Sequence, residues 1–596
     1  MLRRFRFFFL VLVCYAPAAY AQTNPSLNEY AGRYTDGVDY VVYFENSNYG
    51  LTLRPALWTA TQLLKQTAAD DFTVVDRDTR GAKFQRDAGG RIIGVTIRGM
   101  EGEGLHLLRA DPKLLPIEVL LSGKGAAAAR EYLATTTDAK RITDAAERLL
   151  SRFPSKASAA VDFLSAVRRR FTRDVKLNVL LGSANVAAGR RAAAIASFRR
   201  AYELDPNNKD AVSGLARLHA LPANYKDREK PWRLPFSLHS VFLPPTAAEI
   251  AAVEKDWRTR DLSPRDVKEV ATGEVKFDRD VFKVRIISHL VHGQKHYGAI
   301  ISPVNARSSL PIIVEAKGVS WNYFPLDLKN RDAPAFMGAQ RQHFIYVVPS
   351  FRGEVMNFNG VDYQSEGDRT NAWDGATDDA LALLNVALQT TPAADPNRIY
   401  VFGRSRGGTV ALLMAERDPR IGCVVEWSGP TDWFSLMGTE GWTQEELFAE
   451  GLRTRAKPDE TGGQLVEHFL ARAVRGEEDL RAVRQRLIAS SPLYFAGRLP
   501  RAQMHYGIED TAVPVRNGLE FAKRLGLKTL SVAAVETMLA REASDPAVTA
   551  DLKRTKALVM QRGNHQAFFY RGQGHDTDRL LAPILSRQFV SIVGSQ

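Results

Sequence analysis

The run Arg398-Ile-Tyr-Val-Phe-Gly-Arg-Ser-Arg-Gly-Gly-Thr-Val-Ala-Leu-Leu-Met-Ala415 constrains the fold more than any other part of this 596-residue chain. A short apolar segment ending at Phe402 enters Gly403-Arg404-Ser405-Arg406-Gly407, and a segment of helical composition leaves it. Strand, sharp turn and helix around G-x-S-x-G define a nucleophile elbow. Such a turn forces its serine into a strained backbone conformation. The positions two before and two after it, Gly403 and Gly407, must lack side chains because strand and helix converge there. The Ser405 hydroxyl is then exposed, and the backbone N–H of Arg406 aims at the same point. Without its flanks G-x-S-x-G is a common Gly-bearing turn, so the strand before and the helix after carry the reading.

A serine hydroxyl is a poor nucleophile at neutral pH unless a base removes its proton during attack. The base is expected to be a histidine oriented by a carboxylate, and in this kind of fold the acid precedes the histidine in the chain after the serine. Downstream of Ser405 stand His468, His505, His565 and His575. His468 falls in a helical insertion and reads as a surface residue, and His505 precedes the acid inside a strand. His575, in Gly572-Gln-Gly-His575, lies in a loop ahead of a helix predicted over 578–593. His565, in Gly563-Asn-His565, follows the last predicted strand more closely and competes. The acid is expected in His505-Tyr-Gly-Ile-Glu-Asp-Thr-Ala-Val-Pro514, where a strand runs into Gly507 and the loop delivers Asp510. Glu509, beside it, should point the opposite way.

The length implies two to four domains, and 45% apolar with 25% charged residues is ordinary globular composition. Arg3, Arg4 and Arg6, the apolar run Phe7–Val13 and Ala19-Tyr20-Ala21 read as a signal peptide over 1–21, predicting export to the periplasm or the medium. That apolar run is too short to span a bilayer. Cleavage would leave Cys423 as a lone thiol at a buried strand position, with no disulfide partner. The net charge of +13 loses three units if Arg3, Arg4 and Arg6 depart, and much of the remainder sits on Arg168-Arg169-Arg170, Arg190-Arg191 and Arg199-Arg200, which read as solvated helix faces and not as a nucleic-acid surface. No H-E-x-x-H, Cys/His cluster or phosphate-binding glycine loop is present, so neither metal nor cofactor is expected. His289, His292 and His296 straddle a predicted hairpin turn.

Composition shifts divide the chain. Residues 22–113 are rich in β-branched and aromatic residues between turn signals, predicting a small antiparallel β domain. Residues 114–221 change to Ala, Leu and Arg at helical spacing, and Leu181-Gly182, Gly189, Ala194, Ile195, Phe198, Ala201 and Pro206 fall at tetratricopeptide spacings. A Pro-rich linker over 222–266 encloses one short helix near Thr246–Trp257. From 267 to 596 apolar strands alternate with helices, predicting a doubly wound, mostly parallel sheet, with a helical insertion at 432–490 where lids are placed.

Gly403-Arg-Ser-Arg-Gly-Gly408, Gly507-x-x-Asp510-x-x-Val513-Pro514 and Gly574-His575 resemble the catalytic domain of prolyl-oligopeptidase-type serine peptidases. So do Ser350-Phe-Arg-Gly353, Trp373-Asp-Gly-Ala-Thr-Asp-Asp379 and Ser491-Pro492. The resemblance spans about Val281 to Ile592 and implies an α/β-hydrolase fold with Ser405 as nucleophile, Asp510 as acid, His575 as base and Arg406 N–H as one oxyanion donor. It implies a peptide or small acyl substrate. The chain departs from the family after the third strand. Glu315-Ala-Lys-Gly-Val-Ser-Trp-Asn-Tyr323 replaces a His-Gly-Gly or Tyr-Gly-Gly run, which leaves a backbone N–H near Gly318 or the Tyr323 hydroxyl as second donor and Lys317 without an assigned role. It also lacks the family's β-propeller. The segment 30–92 is similar to the lipocalin-like domains appended to exported serine hydrolases, and the helical repeats suggest a protein-binding surface.

Overall fold

The computed structural model describes residues 25–575 apart from 38–39, 48–49, 57–61, 75–76, 100–103, 111–113, 154–155, 224, 226–230, 278, 307–308, 320–324, 330, 436–442, 456–460, 532, 535–556 and 572. The expected signal peptide, Tyr323 and the helix expected over 578–593 lie outside the described residues. The chain divides into two compact units near residue 115. In the first, eight antiparallel strands between Gly32 and Arg109 close into a barrel, the first strand pairing with the last. Alternation along the strands turns Tyr34, Phe44, Phe72 and Phe84 inward, where their rings meet edge to face.

The second unit opens with helices. Three of them are α1 (Val175–Ala187), α2 (Arg191–Leu204) and α3 (Lys209–Arg217). Phe198 of α2 is buried with Ala194, Ala201, Ala211 and Leu215, its ring lying against Gly182 and Gly214. Ser213 of α3 donates to Glu450 Oε1 at 2.7 Å, so these helices touch the insertion of the sheet domain.

The Pro-rich stretch that follows is packed and not a free spacer. Trp232, Leu234, Phe236, Leu238 and Phe242 lie against Phe448, Leu452 and Phe469 of the insertion, and Trp232 N–H donates to the Leu452 carbonyl at 2.9 Å. The helix α4 (Ala247–Thr259) starts with a Thr246/Glu249 capping box. Its Trp257 Nε1 donates to Asp374 Oδ1 at 2.8 Å, and Arg260 just beyond bonds Asp374 and Asp378 at 2.8 and 3.0 Å. Proline breaks secondary structure but does not prevent apolar side chains from burying, and here aromatic residues between the prolines do so.

The sheet contains eleven strands: β1 (Lys268–Phe277), β2 (Asp280–Val291), β3 (Gln294–Pro303), β4 (Leu310–Ala316), β5 (Ile345–Ser350), β6 (Ala394–Arg404), β7 (Ile421–Trp427), β8 (Arg501–Gly507), β9 (Lys528–Thr529), β10 (Leu558–Arg562) and β11 (His565–Tyr570). Their order is 9-10-11-8-7-6-4-5-3-2-1. Strands β5, β4, β6, β7, β8 and β11 are parallel, and an antiparallel meander flanks each side. Strands such as β4 and β5 are buried at every residue, as a sheet covered on both faces requires. Helices α5 (Asp374–Thr390) and α6 (Arg406–Arg417) pack on one face through Ala376, Ala380, Leu383, Val410 and Met414. The apolar run Ala557–Met560, the last strand that the sequence pattern predicts, falls on β10. β10 is the antiparallel arm of a hairpin, and the last parallel strand is β11, which carries a continuous apolar run of its own, Ala567–Tyr570.

The Trp373–Asp379 motif has a structural role on α5. Asp374 and Asp378 are buried and shared by Arg260, Arg417, Trp257 and His292, and Asp379 binds Arg352 through Nε and Nη2 at 3.1 and 2.7 Å. Burial opposes ionisation of Asp378, but Arg417, His292 and Arg260 hold it well below the usual carboxylate range. His289 and His296 face each other across the β2–β3 pair and are buried, with His292 at the turn between them.

Candidate active site

In a parallel sheet the chain leaves every strand at the same edge, and ligands bind there. Along that edge β4 ends before Lys317-Gly318, β6 before Ser405, β8 before Asp510 and β11 before His575. Ser405 has φ 55° and ψ −125°, a region that a side chain makes costly and that persists only when the surroundings enforce it. The enforcement is visible. Ser405 N–H donates to the Trp427 carbonyl of β7 at 2.8 Å, and its own carbonyl accepts from Gly408 N–H at 2.8 Å to begin α6. A Cβ on Gly403 would lie 1.9 Å from the Gly407 carbonyl oxygen, and one on Gly407 would lie 1.9 Å from the Ala316 carbonyl oxygen. Strand, helix and the neighbouring strand end are in backbone contact around the serine.

Asp510 and His575 meet. His575 Nδ1 lies 2.8 Å from Asp510 Oδ2. The other carboxylate oxygen accepts the N–H groups of Ala512 and Val513 at 2.9 and 2.8 Å, which fixes the plane of the carboxylate. Arg404, beside the serine, donates from Nη2 to the His575 carbonyl at 3.3 Å. Glu509 turns away and accepts Gln573 N–H at 3.2 Å.

The competing histidines are elsewhere. His565 is the first residue of β11, and the register pairs the far end of that strand, Tyr570, with Gly507. Five residues at about 3.3 Å each put His565 roughly 16 Å down the sheet from the Asp510 edge. His505 is fully buried between Tyr570 and Gln503, and burial lowers its imidazole to about 3. His468 is not the surface residue expected of it. It lies in a π-helical turn, Val466–Leu470, against Trp373, and burial lowers it to about 4 despite the Thr370 carbonyl at 3.3 Å. A π turn changes the residue spacing of the helix, which a 3.6-residue period does not disclose.

Gly318 lies close beside Ser405. A Cβ there would sit 3.4 Å from Ser405 Cβ and 4.0 Å from Oγ. The Arg406 side chain folds back beneath this loop: Nη2 donates to the Gly318 carbonyl at 3.1 Å, while Nη1 and Nη2 grip Glu354 at 2.5 and 3.2 Å. Its guanidinium stacks 4.6 Å over Phe351. Lys317 is largely buried with its Nζ 2.8 Å from Glu354 Oε2. Burial favours the neutral form of both, yet Arg406 and Lys317 together bring Glu354 down to about 2, and Glu354 only partly offsets the lowering of Lys317. Glu354 was not singled out from sequence. The available signal was an arginine at the second x of G-x-S-x-G, which needs a counter-charge once buried.

A second buried carboxyl underlies the elbow. Glu426 of β7 accepts Gly429 N–H, and complete burial raises it to about 8 against that bond, with the Asp510 charge adding to the rise. Its folded pKa is above the unfolded one, so the stability it contributes is complete below about pH 4 and is lost as pH rises towards 8. Glu426→Gln keeps the acceptor and removes the titration. The melting temperature of the variant is expected to exceed that of the parent by a margin that widens from pH 5 to pH 9; parallel pH profiles would refute this.

Residues 334–462 match the model of the prolyl oligopeptidase family. The match contains Ser405 and ends before Asp510 and His575. No curated protein matches the chain. Among solved structures, a puromycin-hydrolyzing peptidase of Mycobacterium tuberculosis is 14% identical with TM-score 0.30, covering 53% of this chain and 44% of its own. Acetyl xylan esterase 1 of Thermoanaerobacterium sp. is 13% identical with TM-score 0.37, covering 59% of this chain and 99% of its own. The acylaminoacyl peptidase of Pyrococcus horikoshii is 14% identical with TM-score 0.28, at 54% and 47%. The chain thus spans less than half the length of those two peptidases. The family match, the sheet and the elbow support a serine hydrolase. Among the described residues no group of His, Cys, Asp and Glu could hold a metal ion, and no helix is long and apolar enough to cross a membrane.

Proposed function

We propose that this protein is an exported serine hydrolase that cleaves peptide or aminoacyl amide bonds through Ser405, His575 and Asp510. The observation that carries the reading is the Asp510–His575 hydrogen bond at the strand edge where Ser405 is held at positive φ. In this reaction Ser405 Oγ attacks the substrate carbonyl while His575 Nε2 takes its proton. Asp510 accepts from Nδ1–H and supports the imidazolium. The tetrahedral oxyanion receives the Arg406 N–H and a second N–H from the loop at Gly318. His575 then protonates the departing amine, leaving an acyl-enzyme that water cleaves by the same relay. No cofactor takes part in these steps.

The same groups cleave esters, and one observation favours that second reading: the described residues before 267 form a barrel and helices where family peptidases carry a propeller. A lipocalin-like barrel and a tetratricopeptide-like segment would then be accessory, with the helices offering a surface for a protein partner. A third possibility is an inactive scaffold. Fluorophosphonate labelling of the folded protein, abolished in Ser405→Ala, is the expected result, and absence of labelling would leave only the scaffold. Turnover of dipeptidyl amides above that of short acyl esters is expected next; activity confined to esters would overturn the peptidase reading. A mature N-terminus at Gln22 would support export.

A further inference from the structure

An arginine directly after the nucleophile introduces a long cation into the tightest part of the fold. The chain buries it: Arg406 is 3% exposed, and the loop it reaches holds another buried cation, Lys317. Two cations face one carboxylate, Glu354, whose own backbone is fixed by three bonds. Its N–H donates to the Phe351 carbonyl at 3.0 Å, and its carbonyl accepts Ser365 N–H at 2.9 Å and Ser350 Oγ at 3.2 Å. Glu354 is therefore a rigid post. A bidentate grip from a rigid carboxylate, with Phe351 stacked on the guanidinium face, leaves Arg406 little rotational freedom. What remains of its donor capacity at Nη2 is spent on the Gly318 carbonyl.

That last bond has a geometric consequence. A peptide group is planar, so fixing the Gly318 carbonyl also fixes the direction of the Val319 N–H on the other side of the same plane. Lys317 contributes the neighbouring plane, and its carbonyl oxygen would lie 2.8 Å from a Cβ on Gly407. The Lys317–Val319 backbone, which lies beside Ser405, is thus held from the elbow on one side and from Glu354 on the other. We propose that Glu354 is a positioning residue for oxyanion stabilisation, locking Arg406 and Lys317 so that the backbone N–H groups of the Gly318 loop stay aimed at the oxyanion that forms when Ser405 attacks the carbonyl. The inference rests on the serine-hydrolase reading above. It assigns Glu354 no contact with substrate.

The test uses the full chain, a fluorophosphonate probe, p-nitrophenyl acetate and hydrogen exchange of the peptides covering 310–319. Loss of one oxyanion donor costs about 10²- to 10³-fold in kcat; a loosened loop should cost less, about 10- to 100-fold. Glu354→Gln is expected to lower the phosphonylation rate and kcat by that amount, to leave KM within about twofold, and to raise exchange at 316–319 alone. Glu354→Asp, which keeps the charge, should recover part of the loss. Should Glu354→Gln fail to fold with two uncompensated cations, the Lys317→Met/Glu354→Gln pair removes one of them and is expected to show the same rate loss. A folded variant reacting at the parental rate, or one whose loss tracks exchange across the whole domain, overturns the proposal. Parental protein that does not react with the fluorophosphonate sinks the serine-hydrolase reading instead, and the exchange experiment still reports whether Glu354 locks the loop.

Discussion

His575→Ala is expected to lower kcat by about a millionfold, and Asp510→Asn by about ten-thousandfold. The two losses differ because the residues do different things. In the proposed mechanism nothing takes the Ser405 proton once the imidazole is gone, and what survives is whatever binding and oxyanion stabilisation supply. The asparagine variant keeps the imidazole but turns it. Asp510 Oδ1 is held by two backbone N–H groups, so in Asp510→Asn the carbonyl oxygen stays on that side and the amide nitrogen faces His575 Nδ1. An amide N–H needs an acceptor there. The histidine must then carry its proton on Nε2, the atom that should receive the serine proton. Single-turnover rates with an activated ester measure both variants. His565→Ala, altered some 16 Å down the sheet, is the control; a collapse there with His575→Ala active would overturn the assignment.

How much of this was open to sequence reading depended on range. The elbow is a local pattern, five residues between a strand and a helix, and the acid loop and terminal histidine are equally local. The parallel sheet was legible because continuous apolar runs mark strands buried on both faces. What stayed hidden involves partners far apart. Glu354 lies 52 residues before Arg406, and only the fold shows that Ser350-Phe-Arg-Gly353 and the residue after it form a floor under the elbow. The role of Lys317 was undetermined for the same reason. The Pro-rich stretch misled because composition reports breaks in secondary structure and says nothing of burial, and His468 misled because a π turn shifts helical phase by one residue. Cys423, read as buried from its apolar neighbours, sits wholly inside β7, where burial raises its thiol to about 12.

Gly407→Ala should be the most damaging substitution outside the proposed triad. One methyl group is small, and elsewhere in a helix alanine would be preferred to glycine by about 1 kcal/mol. Here the added carbon would lie 1.9 Å from the Ala316 carbonyl oxygen, 2.5 Å from its carbon and 2.8 Å from the Lys317 carbonyl oxygen. All three are backbone atoms, so no rotamer change relieves the clash. The end of β4 and the start of α6 must separate by more than an ångström, and Lys317-Gly318 rides on the first while Ser405 and Arg406 ride on the second. The separation therefore opens the gap between Ser405 and the Gly318 loop, its proposed oxyanion partner. Misplacement of about 1 Å costs on the order of 10²-fold in rate, and overpacking costs about 1–3 kcal/mol in stability. Gly407→Ala is expected to lose at least that rate factor against an activated ester while melting only a few degrees lower. Gly403→Ala should behave alike, since its added carbon meets the Gly407 carbonyl oxygen at the same 1.9 Å. The helical glycine of α3, Gly214, supplies the contrast: the three atoms nearest an added carbon there all belong to the Phe198 ring, and any loss should appear in the helices with the hydrolytic rate unchanged. Equal rates for Gly407→Ala and the parent would mean that the Gly318 loop does not depend on the elbow for its place.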